Sequence, residues 1–139
     1  MTGRSRPLSK SDHRRVADAV DAAEETTGLQ FCVCLGPSEG DARAHAEALF
    51  VQAGLHLRPA LLLLVEPSQR RVEVVTAPAV RDRVPDAACA EAVAGMTERF
   101  AAGDLVGGII AGVGRLAAVA GAGVAGPDDD ELPDVLGAG

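Results

Sequence analysis

The stretch RPALLLLVEPSQRRVEVVTAP, residues 58–78, decides the fold of this protein. An unbroken apolar run precedes a polar turn, and in the second run valines alternate with charged residues. An apolar run of strand length is typical of a strand that is covered on both faces, so it belongs in the centre of a sheet. Because the connection is too short for a crossover, the two runs predict antiparallel strands at about 60–66 and 71–76.

A third strand is predicted at about 29–35, in the segment LQFCVCL. A helix separates it from the central strand, which permits parallel pairing through a right-handed crossover. Helical spacing of apolar residues predicts four helices, from Ser9 or Ser11 to Thr27 and at about 41–53, 87–101 and 105–120. The expected fold class is α/β, as a three-layer α/β/α sandwich with a small mixed sheet flanked by four helices.

The third and fourth helices carry recognisable apolar stripes. Asp86 is placed to cap the third helix at its N-terminus. Its core stripe is predicted from Cys89, Val93, Met96 and Phe100, which follow one another at helical spacing. The fourth helix has a similar stripe, formed by Leu105, Ile109, Val113 and Leu116.

Length and composition predict one domain with two extensions. The chain has 139 residues, which is enough for a single hydrophobic core. Residues 1–8 are basic and are predicted to form a disordered arm, and residues 9–120 form the domain. Residues 121–139 are rich in Gly, Pro and acidic residues, so they are predicted to be a disordered tail.

Charge and aromatic content exclude some partners. The formal net charge is −7, and aromatic residues make up 2% of the chain. An acidic protein with few stacking residues is unsuited to nucleic acid, so no nucleic-acid partner is expected. Residues 105–126 have the length of a membrane span, but Arg115 near the middle argues against integral insertion. Peripheral membrane association through the last helix and the basic arm stays open.

Three cysteines indicate a reducing environment. Cys32 and Cys34 lie two apart in a predicted strand, where their side chains share a face and cannot easily bridge. Together with Cys89 they do not form a zinc signature, and free thiols that act as small apolar residues are expected. Reduced cysteines and the lack of a signal-peptide pattern at the start predict a cytoplasmic location.

Several segments together resemble a known family. They are LSKSDHRRVADAVDAAEETTGLQFCVCLG (8–36), DARAHAEALF (41–50), RRVEVVT (70–76) and VPDAACAEAVAGMTERFAAGDLVGGIIAGVGRLA (84–117). In this order they resemble the TPM-domain superfamily, which is typified by a thylakoid-lumen acid phosphatase and photosystem II repair factors. The chain is most similar to an actinobacterial branch of that superfamily with no assigned function.

The resemblance implies an α/β/α sandwich and a possible polar site. Some TPM domains bind divalent cations, and a plant member hydrolyses phosphomonoesters. The family's polar site uses an Asp-Asn-Gly-like segment before the central strand and an acidic residue after the hairpin. Here these positions correspond to Arg58-Pro59-Ala60 and to Asp86, so an arginine stands where the relatives have an acid.

Topology predicts where such a site lies. The loops 54–60 and 76–86 meet at one end of the sheet, so the candidate pocket consists of His56, Arg58, Asp82 and Asp86. A hard cation such as Ca²⁺ or Mg²⁺ needs several carboxylate oxygens, which makes Asp82 and Asp86 the candidate metal ligands. Arg58 would repel a cation there and is expected to pair with Asp82 or Asp86 instead, so no cofactor is expected.

Two functions from different classes are compatible with this pattern. The first is a non-catalytic, TPM-like interaction module that binds an unknown protein partner. It is favoured because the sequence predicts a complete hydrophobic core, whereas the acidic site has an arginine in place of an acid. The alternative is a divalent-metal-dependent phosphomonoester hydrolase with a degenerate acidic site. In a third interpretation Asp86 is simply a helix cap and Arg58 forms a surface ion pair, and in a fourth Arg58 helps to bind an anion.

Overall fold

The computed structural model of the protein describes residues 8–38 and 40–121. The predicted arm and tail lie outside these residues, apart from Leu8 and Gly121. Helices and strands follow one another along the chain as α1 (Lys10–Thr27), β1 (Gln30–Leu35), α2 (Ala42–Gln52), β2 (Ala60–Glu66), β3 (Arg71–Thr76), α3 (Asp86–Ala101) and α4 (Leu105–Ala120). This is a mixed α/β fold with four helices, as predicted.

The three strands form one mixed sheet in the order β1-β2-β3. β1 is parallel to β2, with Phe31 opposite Leu61, and β3 is antiparallel to β2, with Val74 opposite Leu63. Every residue of β2 is buried, which confirms that its unbroken apolar run marks the central strand. A 3-10 turn at Pro67–Gln69 reverses the chain between β2 and β3.

Helices cover both faces of this sheet. Val72, Val74 and Thr76 of β3 face α3, with which they line a groove. Glu73 points to the opposite face, where it pairs with Arg43 of α2. Since neighbouring residues of a strand point to opposite faces, α2 and α3 lie on opposite sides of the sheet. On the α3 side, α4 packs between α1 and α3, and α1 also packs against β1.

The helix ends follow from local sequence, with one exception. Ser9 caps α1 in a reciprocal capping box with Asp12, and Gly28 ends the helix in the left-handed conformation. The predicted cap at Asp86 is wrong. Helix α3 begins at Asp86, and Pro85 occupies the cap position with no side-chain hydrogen bond. Asp86 instead lies in the first turn, where its charge favours the helix dipole.

The buried face of α3 is rotated by one residue from the predicted stripe. Met96 and Phe100 are buried as expected, but Ala88 and Ala92 complete this face rather than Cys89 and Val93. Two glycines of α4 allow α3 and α4 to approach closely at the large residues of this face. Gly108 lies against the Phe100 ring and Gly112 against Met96. Cys89 and Val93 consequently become half-buried walls of the groove.

Candidate functional site

The four residues of the predicted pocket lie on the surface or close to it. His56 is in a 3-10 turn, Leu55–Leu57, and its Nδ1 atom is buried with no hydrogen-bond partner in the described part of the chain. Arg58 is exposed and its Nη1 atom donates to the Gln30 side chain at 3.5 Å. Asp82 and Asp86 are both exposed.

The ion pair expected between Arg58 and an aspartate does not form among the described residues. After β3 the chain enters a 3-10 turn, Pro78–Val80, which buries Val80 and Val84 completely. Asp82 lies between these two valines and is consequently exposed. Within residues 8–38 and 40–121, no group of three or more His, Cys, Asp or Glu side chains is arranged to hold a metal ion.

Asp86 lies on a groove between β3 and α3, which we call the β3–α3 groove. Its volume is about 550 Å³. The floor and walls are mostly apolar, and the charged side chains come from α2, β3 and the start of α3. The groove is lined by Arg43, Val72, Glu73, Val74, Thr76, Asp86, Cys89, Ala90, Val93 and Ala94.

Arg43 of α2 closes the sheet edge beside this groove. Its Nη1 atom donates to the Val74 carbonyl at 2.6 Å, and its Nε atom donates to Glu47 at 2.9 Å. The Ala77 amide donates to the Ala60 carbonyl of β2, so odd-numbered residues on this side of the hairpin form the hydrogen bonds to β2. The Val74 carbonyl therefore points away from β2. Arg43 therefore satisfies an edge acceptor that an added strand would otherwise use.

Burial and Asp86, another charged group of the groove, raise rather than lower the pKa of the neighbouring Cys89 thiol. The Asp86 carboxylate makes no hydrogen bond or ion pair with any described residue. Burial raises the pKa of the Cys89 thiol, and the Asp86 charge raises this pKa further, whereas Arg43 lowers it. A thiol with a raised pKa stays protonated near neutral pH, unlike the thiolates of catalytic cysteines.

Comparison with known proteins identifies the family of the chain. Residues 2–117 match the family of the domain of unknown function DUF5130. The chain belongs to this family. No curated protein matches the chain in sequence. The match spans α1 to α4 and includes both the β3–α3 groove and the predicted pocket.

Solved structures of three bacterial proteins are similar to this DUF5130 domain. The BA42 protein of the psychrophilic Bizionia argentinensis is 20% identical with a TM-score of 0.77, covering 96% of this chain and 97% of that one. The N-terminal domain of a P. gingivalis protein is 24% identical with a TM-score of 0.71, covering 81% and 75%. The N-terminal domain of cg2496 from Corynebacterium glutamicum is 14% identical with a TM-score of 0.69, covering 93% and 80%. At these identities the likeness shows the fold alone.

Most of the contacts that form the β3–α3 groove have no local sequence pattern that would predict them. Arg43 and Glu47 have the spacing of a helical ion pair, which is a detectable signal. The contact between Arg43 and Val74 joins residues far apart in sequence, and no local pattern predicts it. Arg83 was also missed, although it donates to carbonyls at the ends of two helices.

The last helix does not present its apolar stripe to the outside. Ile109, Val113 and Leu116 of α4 are fully buried against the rest of the domain. Among the described residues, no helix is both long enough and apolar enough to cross a membrane. Peripheral membrane binding through α4 would therefore have to use its other side, where Val119 is 38% exposed.

Cys32 and Cys34 form a close pair of free thiols on the α2 side of β1. Their Sγ atoms are 3.9 Å apart, and both residues are half-buried. Burial raises the pKa of Cys32 from 9.0 to about 11, and the neighbouring Cys34 and the Glu24 carboxylate add to the shift. Cys32 is therefore a protonated, weakly reactive thiol near neutral pH.

This raised pKa predicts a specific loss of stability in alkali. Unfolded chains lose the Cys32 proton near pH 9.0 and folded chains near pH 11. Between these values the unfolded state binds fewer protons, so the contribution of Cys32 to stability falls as pH rises and is complete below about pH 9. We expect Cys32→Ala to lose less stability than the wild type when pH is raised from about 8.5 to about 10.5. Urea unfolding at both pH values measures this, and equal losses in the two proteins would contradict it.

Proposed function

We propose that this DUF5130 domain is a non-catalytic, TPM-like module that binds a protein partner in the β3–α3 groove. The observation that carries the proposal is the groove itself, with its apolar walls and an unpaired carboxylate at Asp86. Ala90 and Ala94 are small, so they leave room between α3 and β3 for an inserted side chain. Concave apolar sites with a few placed polar groups are typical of binding sites.

The charges beside the groove define the chemistry of the partner. Among the lining residues, Asp86 contributes a carboxylate without an ion pair, whereas Glu73 is paired with Arg43. Arg43 is the one cationic side chain among these residues and is also engaged by Glu47 and the Val74 carbonyl. A segment that inserts an apolar side chain next to a lysine or arginine fits this arrangement, because the cation meets Asp86. Such pairing contributes to specificity and to the rate of association.

A peptide-binding experiment tests this proposal. Phage-displayed peptides that place one apolar residue beside Lys or Arg are selected against the full chain, and the affinity of the best peptide is measured by calorimetry. We expect Ala94→Arg to weaken binding at least about tenfold, because the new side chain fills the groove and repels the basic residue.

The matched control is Ala101→Arg, which adds the same charge to an exposed position at the other end of α3. It is expected to leave the affinity within about twofold of the wild type. Equal losses in the two variants, or failure to select any peptide of this class, would rule out the groove as the binding site.

The competing activity is hydrolysis of phosphomonoesters with Asp82 and Asp86 as ligands of Mg²⁺ or Ca²⁺. Two carboxylates are fewer than such a cation usually takes from a protein site, so water or substrate would have to supply the rest. This activity predicts turnover of a generic phosphomonoester with added Mg²⁺, Ca²⁺ or Mn²⁺, and loss of that turnover in Asp86→Asn. Such a result would replace the interaction module as the function.

The location proposed for the module is the cytoplasm, in contact with protein rather than lipid. The three free cysteines support a reducing compartment. The burial of the α4 stripe supports a partner other than a membrane surface, since the apolar side chains are already covered. Co-sedimentation with anionic vesicles that weakens as salt is added would instead support peripheral membrane association.

A further inference from the structure

We propose that the open edge of β1 pairs with β1 of a second copy of this chain, in an antiparallel register centred on Cys34. This edge lies on the opposite side of the sheet from the β3–α3 groove. The proposal therefore goes beyond the proposed function, and either can fail without the other.

Backbone geometry shows that β1 presents unpaired groups. The amides of Gln30 and Gly36 donate to carbonyls on the β2 side, so even-numbered residues of β1 bond to β2. The backbone groups of Phe31, Val33 and Leu35 consequently point outwards. Glu24 of α1 accepts from the Phe31 amide at 2.9 Å, whereas the Val33 and Leu35 amides have no partner in the described part of the chain.

The side chains of β1 offer no protection against strand pairing. Exposed sheet edges usually carry charges or prolines that block the addition of another strand. The segment Gln30–Leu35 has neither, and Leu35 is 40% exposed. The other edge of the same sheet differs, because β3 carries Arg71 and Glu73 and Arg43 covers the Val74 carbonyl. The unguarded edge is therefore β1.

One register satisfies the open groups of two copies. With Cys34 opposite Cys34 of the second copy, Val33 lies opposite Leu35 of the second copy, and each pair exchanges two hydrogen bonds. Shifting the centre to Val33 would require the Phe31 amide, which already donates to Glu24. Shifting it to Leu35 would place Val33 opposite Pro37, which has no amide hydrogen to donate. With the centre at Cys34, the engaged Phe31 amide and Pro37 of the second copy lie opposite each other, so both Val33–Leu35 pairs keep their two hydrogen bonds.

This pairing would extend the three-stranded sheet into a continuous sheet of two copies with two-fold symmetry. The half-exposed Leu35 would then pack beside Val33 of the second copy, on the face that also carries Phe31. The edges left at both ends of the joined sheet would be the two β3 strands, which are the guarded ones. Symmetric interfaces of this kind are the commonest way in which identical chains associate.

Sedimentation velocity over a range of concentrations tests the association with the full chain. We expect the apparent mass to rise from one chain of 14.1 kDa towards two as concentration increases. Leu35→Lys is expected to abolish this rise, because it sets a charge opposite the apolar Val33 of the second copy and places two like charges at diagonal positions across the two-fold axis. Val119→Lys is the matched control, since Val119 is exposed to a similar extent, 38%, but lies on α4. A single-chain mass at every concentration would overturn the proposal.

Oxidative cross-linking tests the register with Cys→Ser variants, in which the replaced side chains keep almost the same volume. Copper phenanthroline removes two electrons and two protons from a pair of thiols, and a disulfide forms between them. In this register Cys34 meets Cys34 of the second copy, and the Cα separation of such non-hydrogen-bonded pairs, about 4.5 Å, is compatible with a disulfide. Cys32 meets Gly36 instead.

We therefore expect Cys32→Ser/Cys89→Ser to form covalent dimers at least about tenfold faster than Cys34→Ser/Cys89→Ser. Circular dichroism confirms that both variants are folded. Equal rates, or faster cross-linking through Cys32, would overturn the register.

Discussion

Replacing Arg83 with methionine is expected to lower the free energy of unfolding by about 3 kcal/mol. Arg83 lies between β3 and α3, and its Nε atom donates to the Ala120 carbonyl at 3.1 Å. Its Nη2 atom donates to the carbonyls of Thr27 and Gly121, each at 3.0 Å. Methionine keeps most of the apolar stem but leaves these carbonyls, at the ends of α1 and α4, without their charged donor.

Two further substitutions separate this role from a general effect of lost charge. Arg83→Lys is expected to have an intermediate effect, because an ammonium group cannot reproduce the fork of a guanidinium. Arg81→Met removes a charge from a neighbouring exposed position and is expected to change stability by less than about 0.5 kcal/mol. Since the chain has no Trp or Tyr, far-UV circular dichroism in urea is the suitable measurement. Equal effects of the substitutions at positions 83 and 81 would contradict the capping role.

Replacing Gly108 with valine is expected to cost about 3 kcal/mol of stability, a loss similar to that of Arg83→Met. A Cβ atom at Gly108 would lie 2.6 Å from a ring carbon of Phe100 and 3.2 Å from the Cβ atom of Arg99. Neither neighbour can move away freely, because Phe100 is part of the core and the Arg99 Cβ atom is fixed by the α3 backbone. Helices α3 and α4 would therefore have to separate.

Gly114 provides the matched control within the same helix. A Cβ atom there would meet no other atom within 4 Å, so Gly114→Ala relieves the entropic cost of glycine without a clash. We expect Gly114→Ala to stabilise the protein by about 0.5–1 kcal/mol, the opposite sign to Gly108→Val. If urea unfolding gave losses of similar size at both positions, close packing of α3 and α4 would not explain the glycines.

Local sequence patterns were sufficient to predict most of the fold. The unbroken run Ala60–Glu66 and the alternation in Arg71–Thr76 correspond to β2 and β3 residue by residue. These signals are strong because a strand that is buried on both faces shows an unbroken apolar run. A strand that is more exposed on one face shows alternating apolar and polar residues. The rotated face of α3 was not predicted, since alanine at positions 88 and 92 is apolar without being distinctive.

The candidate site was predicted less well, for a physical reason. Sequence and topology indicate which loops share an end of the sheet, but they do not fix where exposed side chains point. Arg58 consequently bonds with Gln30 rather than with an aspartate. The β3–α3 groove depends on Arg43 reaching the edge of β3, a contact between residues far apart in the chain. Of the predicted residues, Asp86 belongs to this groove, whereas His56, Arg58 and Asp82 are not among its lining residues.

Amide chemical-shift mapping tests the binding role of the groove most directly. A selected peptide with an apolar residue beside a lysine is titrated into the ¹⁵N-labelled full chain. We predict that the largest saturable shifts fall on residues 72–76 of β3 and 89–94 of α3, which line the groove from both sides. Saturable shifts confined to β1 or to the loops around Arg58 and Asp82, with the groove unchanged, would contradict the proposed binding site.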